Sequence, residues 1–329
     1  MSDPLLKVEN LRVEFQRSDG IVYAVNDVSF SIAPGETVGV VGESGSGKST
    51  ALMALLGLLD ANGRVTGGHA WFQGADLLKL NRHQLEDIRG RDIGVVFQDP
   101  MLGLNPTMRI GDQIMEGMLE HHYASMKQAF QRTLDLLAEV GIPDPPARFR
   151  NYPFEFSGGM RQRVMIAMAI ACEPQLLIAD EPTTALDVTV QMQILALLDK
   201  LRRERRMSII MITHDLGVAT NFCDRIIVMY GGKIMETAPL DEFLHNPAHP
   251  YTIALFGSML EPDDSEDWEL HPIPGTAEPL LEFPQACPFA PRCSMAQPRC
   301  QTEMPQLRLF ENEHWIACHR AEEVMSRAG

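Results

Sequence analysis

The sequence predicts an α/β fold with a parallel sheet, and three apolar stretches support that prediction. Residues 37–41, 176–180 and 208–213 are short runs of mainly aliphatic residues, and each leads directly into small or polar residues. Strands that are buried in a parallel sheet have this composition. The side chains that follow them reach the carboxyl edge of the sheet, where ligands bind.

The first stretch leads into Gly-Glu-Ser-Gly-Ser-Gly-Lys-Ser at residues 42–49, and a helical stretch follows at 50–56. This is the G-x-x-x-x-G-K-[ST] pattern of phosphate-binding loops, in the strand–loop–helix context that such loops require. Its glycines let backbone N–H groups surround phosphates, and the helix N-terminus adds its positive end. We expect ATP to bind here with Mg²⁺, with Lys48 at the β- and γ-phosphates and Ser49 on the metal. The predicted nucleotide contacts in this loop are Gly42, Ser44, Gly45, Ser46, Gly47, Lys48, Ser49 and Thr50.

The second stretch ends in two carboxylates, Asp180 and Glu181. Because the strand delivers them to the ligand edge, Asp180 is expected to hold Mg²⁺, directly or through water, and Glu181 to polarise the attacking water. A solvated strand end is the alternative for two acidic residues taken alone. The phosphate loop in the same chain favours the catalytic interpretation.

With these motifs the chain resembles the ATPase subunits of ABC transporters over most of residues 4–255. The resemblance implies an aromatic adenine contact, a Q-loop glutamine that also binds Mg²⁺, a signature motif, a D-loop at residues 184–187 and a switch histidine. The matching residues are Phe15, Gln98, Ser157, Gly158, Gly159, Asp187 and His214. The signature departs from the common Leu-Ser-Gly-Gly-Gln at Phe156 and Met160, outside the Ser-Gly-Gly that faces phosphate.

Five further segments, at residues 105–106, 152–153, 167–171, 178–189 and 249–252, are similar to the D-type ATPase of oligopeptide and dipeptide importers. That resemblance implies ATP-driven peptide import at the cytoplasmic face of the cell membrane. It also implies two transmembrane permease subunits, an external binding protein, and a head-to-tail pair with a second, related ATPase, although a homodimer remains open. In such a pair, Ser157, Gly158 and Gly159 serve the partner's site, and Gln98 contributes to coupling with the permeases.

Two alternatives remain open from the sequence. One is a soluble ABC ATPase that acts on nucleic acid or ribosomes, and the other is import of a different small solute, such as a metal chelate, a glycoside or glutathione. The net charge of −16 argues against a broad nucleic-acid surface. This charge leads us to expect no nucleic-acid partner. The chain has no apolar run long enough to span a membrane and no N-terminal secretion signal, so we expect a peripheral subunit.

The expected organisation is an ABC ATPase cassette at residues 1–255 and a proline- and cysteine-rich extension at 256–329. Within the cassette, alternating residues at 5–33 predict antiparallel strands broken by a turn at 18–20, with strands near 68–72 and 93–97 continuing the pattern. Residues 106–170 are expected to form a mostly helical subdomain. The acidic segment at 261–267 is expected to be a solvated linker.

The extension holds four of the six cysteines, Cys287, Cys293, Cys300 and Cys318. Their spacing matches neither the paired cysteines of zinc ribbons nor the cysteine motif of ferredoxins. The spacing alone therefore does not indicate which metal group they bind. We expect no disulfides, because the predicted location is a reducing one. The resemblance to long peptide-importer ATPases implies a [4Fe–4S] cluster, with zinc as one alternative and unliganded thiols or disulfides as the other. The remaining two, Cys172 and Cys223, are expected to be buried small apolar residues.

Overall fold

The computed structural model describes residues 3–184, 186–258 and 273–328. It separates into two compact units, which are described in turn. The first comprises Met1–Ile32, Thr37–Lys79 and Thr213–Gly329, and the second comprises Ala33–Glu36 and Leu80–Ile212. The predicted boundary between cassette and extension near residue 255 stays a prediction. The predicted linker at 261–267 lies outside the described residues.

The strands, in chain order, are β1 (Leu6–Arg17), β2 (Gly20–Ile32), β3 (Thr37–Val41), β4 (Gly63–Phe72), β5 (Ala75–Asp76), β6 (Ile93–Val96), β7 (Leu176–Asp180), β8 (Ser208–Thr213), β9 (Arg225–Tyr230), β10 (Lys233–Pro239), β11 (Arg308–Leu309) and β12 (Trp315–Ile316). The helices are α1 (Lys48–Leu55), α2 (Arg82–Ile88), α3 (Pro100–Gly103), α4 (Ile110–Glu120), α5 (Met126–Glu139), α6 (Pro145–Arg148), α7 (Gly158–Ala169), α8 (Val188–Arg205), α9 (Leu216–Phe222), α10 (Leu240–His245), α11 (Pro250–Gly257) and α12 (Ala321–Ala328).

An antiparallel sheet with strand order β2-β1-β4-β5 forms one part of the first unit. Arg17 pairs with Gly20 across the turn between β1 and β2, as the alternating pattern and the turn residues predict. The predicted strand at 68–72 is the second half of β4, which pairs with β1. The inward side chains of β1 are fully buried, so its alternation reflects one face against the core.

The other strands of the first unit run in the order β11-β12-β10-β9-β3. Strand β3 pairs with β9 in parallel, whereas β9, β10, β12 and β11 pair antiparallel to one another. Strands β11 and β12 belong to the predicted extension, and Ile316 in β12 packs with Ala248 and Ala321 in a buried apolar cluster. The extension therefore continues a sheet of the first unit and shares its core.

A buried polar contact joins β10 to the same region. Glu236 and His314 are both fully buried, and their side chains lie 2.7 Å apart. The Glu236 carboxylate also accepts hydrogen bonds from the backbone N–H groups of Ala248 and His249, at 2.8 and 2.9 Å. Because a buried carboxylate without partners is strongly destabilising, the contact with His314 ties the extension to β10.

The second unit contains the strands β8, β7 and β6, which pair in parallel in that order. Every residue of β7 and β8 is buried, as the continuous apolar runs predict. The expectation that residues 93–97 continue the antiparallel strands is wrong, because β6 pairs in parallel with β7. Residues 93–96 have the uninterrupted apolar character of a buried parallel strand, and they lack the alternation of β1.

Helices α4 to α7 occupy most of residues 106–170, in agreement with the predicted helical stretch. Helix α8 buries one face through Ile194, Leu197, Leu198 and Leu201, as their spacing predicts. Cys172 and Cys223 are buried, also as expected. In the parts of the chain that the structure describes, no helix combines the length and apolar composition needed to cross a membrane.

Candidate nucleotide site

The phosphate loop connects β3 to α1, and two of its glycines have no room for a side chain. Gly42 and Gly47 have φ angles of 148° and 96°, which favour glycine. A Cβ atom on Gly42 would lie 2.2 Å from the Met229 carbonyl oxygen, and one on Gly47 would lie 2.4 Å from that of Ala24. The loop can therefore follow this path against β9 and β2 only with glycine at both positions.

Lys48 is the first residue of α1, and its side chain lies inside the loop. The residue is 5% exposed, and its ammonium group donates to the carbonyl oxygens of Gly42 and Glu43 at 2.7 and 2.8 Å. The N-terminus of a helix adds positive potential to the backbone N–H groups of such a loop. The arrangement places the Lys48 ammonium group inside the loop that is predicted to bind phosphates.

Glu43, the first variable residue of the motif, is held through both of its backbone groups. Its N–H donates to the Tyr251 hydroxyl at 2.8 Å, and its carbonyl accepts from Lys48 and from the Ser46 N–H. Burial raises the pKa of the Tyr251 phenol, so the phenol stays protonated. Tyr251 in α11 thus acts as a fixed support for the beginning of the loop.

A cavity of about 370 Å³ adjoins the loop in the first unit. Phe15, Gly45 and Thr50 line it, so the predicted adenine contact and two predicted loop contacts share one space. Residues 277–280 form part of the wall, and the carbonyl of Leu280 accepts from the Tyr23 N–H at 2.9 Å. A segment of the extension therefore borders the space in which a nucleotide base is expected.

His214 follows β8 directly and is exposed. Together with Val41 and Gly42 it lines a second cavity, of about 250 Å³. Asp215, the next residue, caps α9 by accepting from the Val218 N–H at 3.2 Å, which fixes the backbone on which His214 is carried. The predicted switch histidine thus lies at the beginning of the phosphate loop.

In the second unit, the two carboxylates predicted to act on Mg²⁺ and water stand at the end of β7. Asp180 is 8% exposed, and Glu181 follows it. The Gln98 side-chain amide donates to Glu181 Oε2 at 2.8 Å, and the Thr184 hydroxyl donates to the same oxygen at 3.0 Å. The structure therefore brings Gln98 and Glu181, which were predicted separately, into direct contact.

The backbone of Glu181 adopts an unusual conformation. Its φ angle of 46° lies in the left-handed region, which residues other than glycine rarely adopt. Its N–H donates to the Ile212 carbonyl at 3.0 Å, so the neighbouring strand β8 holds it in place. Strained backbone of this kind is common where a side chain must be aimed at a reacting group, and here it aims the carboxylate towards Gln98.

The predicted signature residues form the beginning of α7. Ser157 caps this helix and is exposed, as is Gly158, whereas Phe156 is buried, which explains why a large apolar residue is accommodated there. A Cβ atom on Gly159 would lie 2.7 Å from the Val190 side chain, so α7 and α8 meet closely at this glycine. The result is an exposed helix N-terminus, which suits a phosphate group supplied from outside the unit.

Asp187, the predicted D-loop aspartate, caps α8 in the second unit. Its carboxylate accepts from the Val190 N–H at 3.0 Å. Ala185 of the same predicted loop lies outside the described residues. Since Val190 also contacts the Gly159 position, the beginnings of α7 and α8 form one surface.

The four cysteines of the extension line one small cavity, which His249, Phe289, His319 and Arg320 help to enclose. All four are free thiols. Burial raises the pKa of Cys287 to about 12 and that of Cys318 to about 11, so the cavity disfavours thiolates unless a positive group compensates them. His314, near Cys318 in sequence, contacts the Glu236 carboxylate.

The four cysteines are candidate ligands for a metal group. Among the described residues, no three or more His, Cys, Asp or Glu side chains lie together as they would around a single ion. A zinc ion holds four sulfurs within bonding distance of one point, about 2.3 Å away. A [4Fe–4S] cluster binds one cysteine at each of its four iron atoms. Four cysteines therefore match the number of ligands that either group requires.

Comparisons with known proteins decide the family. The family model described as "ABC transporter" matches residues 25–184, and that described as "Oligopeptide/dipeptide transporter, C-terminal region" matches residues 235–300. The oligopeptide transport ATP-binding protein of Escherichia coli K12 is 49% identical over 324 residues, which cover 98% of this chain and 95% of that protein. The chain belongs to the ABC transporter family. A dipeptide transport ATP-binding protein of Bacillus subtilis is 45% identical, and 98% of each chain is covered.

A solved structure supports the same conclusion for the fold. A dimeric ATP-binding cassette in a post-hydrolysis state, bound to ADP and phosphate, is 31% identical to this chain with a TM-score of 0.65. The similarity covers 71% of this chain and 98% of that cassette. The predicted ABC ATPase cassette fold and the resemblance to peptide-importer ATPases are thereby confirmed.

Sequence reasoning missed several supports of the predicted site. Tyr251 and the wall at 277–280 lie more than 200 residues from the phosphate loop, and no local pattern links them to it. The bond from Thr184 to Glu181 spans three residues, so the spacing of the two residues is the one signal that could have indicated it.

The support of the phosphate loop predicts a pH dependence of stability. Burial lowers the pKa of His249 from 6.5 to about 4, and its neutral ring accepts from the Tyr251 N–H. His249 binds a proton below about pH 6.5 in the unfolded chain but only below about pH 4 in the folded chain. The free energy of unfolding therefore falls as the pH drops from 6.5 to 4. The expected loss is at most about 3 kcal/mol.

Urea unfolding at pH 7.5 and pH 5 measures this loss. His249→Asn keeps an acceptor at the helix cap but cannot titrate, so its stability should fall less between the two pH values. An equal fall in both proteins would contradict the role given to His249.

Proposed function

We propose that this chain is the ATP-hydrolysing subunit of a peptide importer in the cytoplasmic membrane. The observation that carries the proposal is the joint match of residues 25–184 to the ABC transporter family and of residues 235–300 to the C-terminal region of oligopeptide and dipeptide transporters. Relatives that are similar over nearly the whole chain are named as oligopeptide or dipeptide transport ATP-binding proteins.

In the proposed reaction, Lys48 and the loop N–H groups would bind the phosphates, and Phe15 would stack on adenine. Ser49 and Asp180 would hold Mg²⁺, which would neutralise part of the phosphate charge, and Glu181 would polarise the attacking water. Most of the acceleration comes from positioning and from stabilisation of the charge on the transferred phosphoryl group.

The site is completed by a second ATPase in this proposal. The exposed N-terminus of α7 carries Ser157 and Gly158 and would face the γ-phosphate bound by a partner subunit, in a head-to-tail pair. Closure on ATP and opening after hydrolysis then drive the permeases. We propose a related second ATPase as this partner, two transmembrane permeases, and an external binding protein that delivers peptide, with the chain at the cytoplasmic membrane surface.

Replacement of the predicted general base tests the proposal. Glu181→Gln keeps the amide contact of Gln98 but removes the negative charge that polarises water, so hydrolysis should fall about 100-fold or more while ATP still binds. The measurement is peptide-stimulated ATP hydrolysis by the complex with its permeases and partner ATPase in proteoliposomes. Glu204→Gln, at an exposed position of α8, is the matched control.

Two results would contradict the proposal in different ways. Undiminished hydrolysis by the Glu181→Gln complex would remove the assigned role of Glu181. Wild-type hydrolysis that no peptide stimulates, together with co-purification of ribosomes or DNA in place of permeases, would favour the soluble alternative.

We further propose that Cys287, Cys293, Cys300 and Cys318 hold a [4Fe–4S] cluster. The one cavity that all four cysteines line supports this assignment. When bound, the cluster would compensate the thiolates that burial disfavours and would cross-link an extension with few regular elements.

Protein purified without oxygen is expected to contain about four irons and four sulfides per chain. The quadruple Cys→Ser variant should contain neither, whereas Cys172→Ser with Cys223→Ser, which alters buried cysteines elsewhere, should retain both. Stoichiometric zinc in the wild-type protein, or wild-type iron in the quadruple variant, would contradict the cluster.

A further inference from the structure

Arg292 of the extension binds the phosphate loop. It lies next to Cys293 in sequence, and its guanidinium group pairs with both carboxylate oxygens of Glu43, at 2.5 and 3.0 Å. The Arg292 side chain is 9% exposed and that of Glu43 is 26% exposed, so water screens the pair little. Two parallel bonds of this type fix orientation as well as distance.

The remaining donors of Arg292 are directed at its own surroundings. They bind the carbonyl oxygens of Pro274 and Gly275, at 2.7 and 3.1 Å, and the Tyr230 hydroxyl at 3.1 Å. These contacts hold the guanidinium group in a fixed orientation in addition to its pairing with Glu43. It also anchors the segment that leads to the cavity wall at 277–280.

An aromatic cluster joins the same stretch of the extension to the support of the loop. The ring of Phe289 packs against Tyr230 and Tyr251 at centroid distances of 5.3 and 5.1 Å, and those two rings lie 4.8 Å apart. All three are buried. Because Tyr251 holds the Glu43 N–H, the segment 287–293 reaches Glu43 by two routes, through Phe289 and through Arg292.

The charge of Glu43 gives this contact a consequence for binding. ATP is a polyanion, and a carboxylate in the loop that receives it repels it unless a cation neutralises the carboxylate. Arg292 is the partner that the structure gives to that carboxylate. Its removal therefore frees the loop and also leaves a negative charge beside the bound phosphates.

We propose that Arg292 is a positioning residue of the nucleotide site, which holds the phosphate loop through Glu43 and makes ATP binding depend on the cysteine-bearing segment 287–293. The inference rests on the proposed ATP site. In addition, the extension affects the affinity for nucleotide through the contact between its Arg292 and Glu43 of the loop.

Affinity for the non-hydrolysable analogue AMP-PNP with Mg²⁺, measured by calorimetry on the full-length chain, tests the proposal. Arg292→Gln is expected to raise the Kd about fivefold or more. Arg299→Gln is the matched control, since it removes an exposed pair with Glu303 beside Cys300 that does not touch the loop, and its Kd should stay within about twofold of the wild-type value.

The double variant separates positioning from general damage to the fold. When Glu43→Gln is added to Arg292→Gln, the uncompensated charge disappears, so part of the lost affinity should return. A role of Arg292 in stability alone predicts no such recovery. If Arg292→Gln does not fold, Arg292→Lys keeps the charge without the bidentate fork and should raise the Kd in the same direction by less.

The outcomes are distinct. A Kd for Arg292→Gln equal to that of the Arg299→Gln control, or a loss that Glu43→Gln leaves unchanged, overturns the inference. Failure of the wild-type chain to bind AMP-PNP would instead overturn the proposed ATP site.

Discussion

The structure of the nucleotide site depends on how Glu43 is held. Its N–H binds Tyr251, its carbonyl binds the Lys48 ammonium, and its carboxylate binds Arg292. The loop glycines permit a path close to β2 and β9, but glycine alone gives a flexible chain. Rigidity must therefore come from contacts, and two of the three are supplied by residues far along the sequence.

The extension belongs to the same compact unit as the phosphate loop. Strands β11 and β12 continue a sheet that also contains β3, the strand before the phosphate loop. The buried contact between His314 and Glu236 fixes that attachment. The extension also packs close to the loop, because Phe289 contacts Tyr230 at the end of β9 and Tyr251, which binds the Glu43 N–H.

The sequence best predicted the features that depend on neighbouring residues in the chain. The phosphate loop, the carboxylates after β7 and the buried helix face of α8 are contiguous or periodic patterns, and the structure places them as expected. The strand that pairs with residues 93–96 was predicted wrongly, because a short apolar run does not indicate which strand lies beside it in the sheet. The pair of Arg292 and Glu43 spans 249 residues, and an arginine in a proline-rich stretch has no periodicity that predicts its partner.

The most direct test of this account is hydrogen exchange of the phosphate loop in the full-length protein. If Arg292 and Glu43 hold the loop, the amides of residues 42–47 should exchange faster in Arg292→Gln than in the wild-type chain, while those of β7 stay unchanged. Equal exchange in the loop of the two proteins would show that the loop keeps its shape without the extension, which would contradict the central claim.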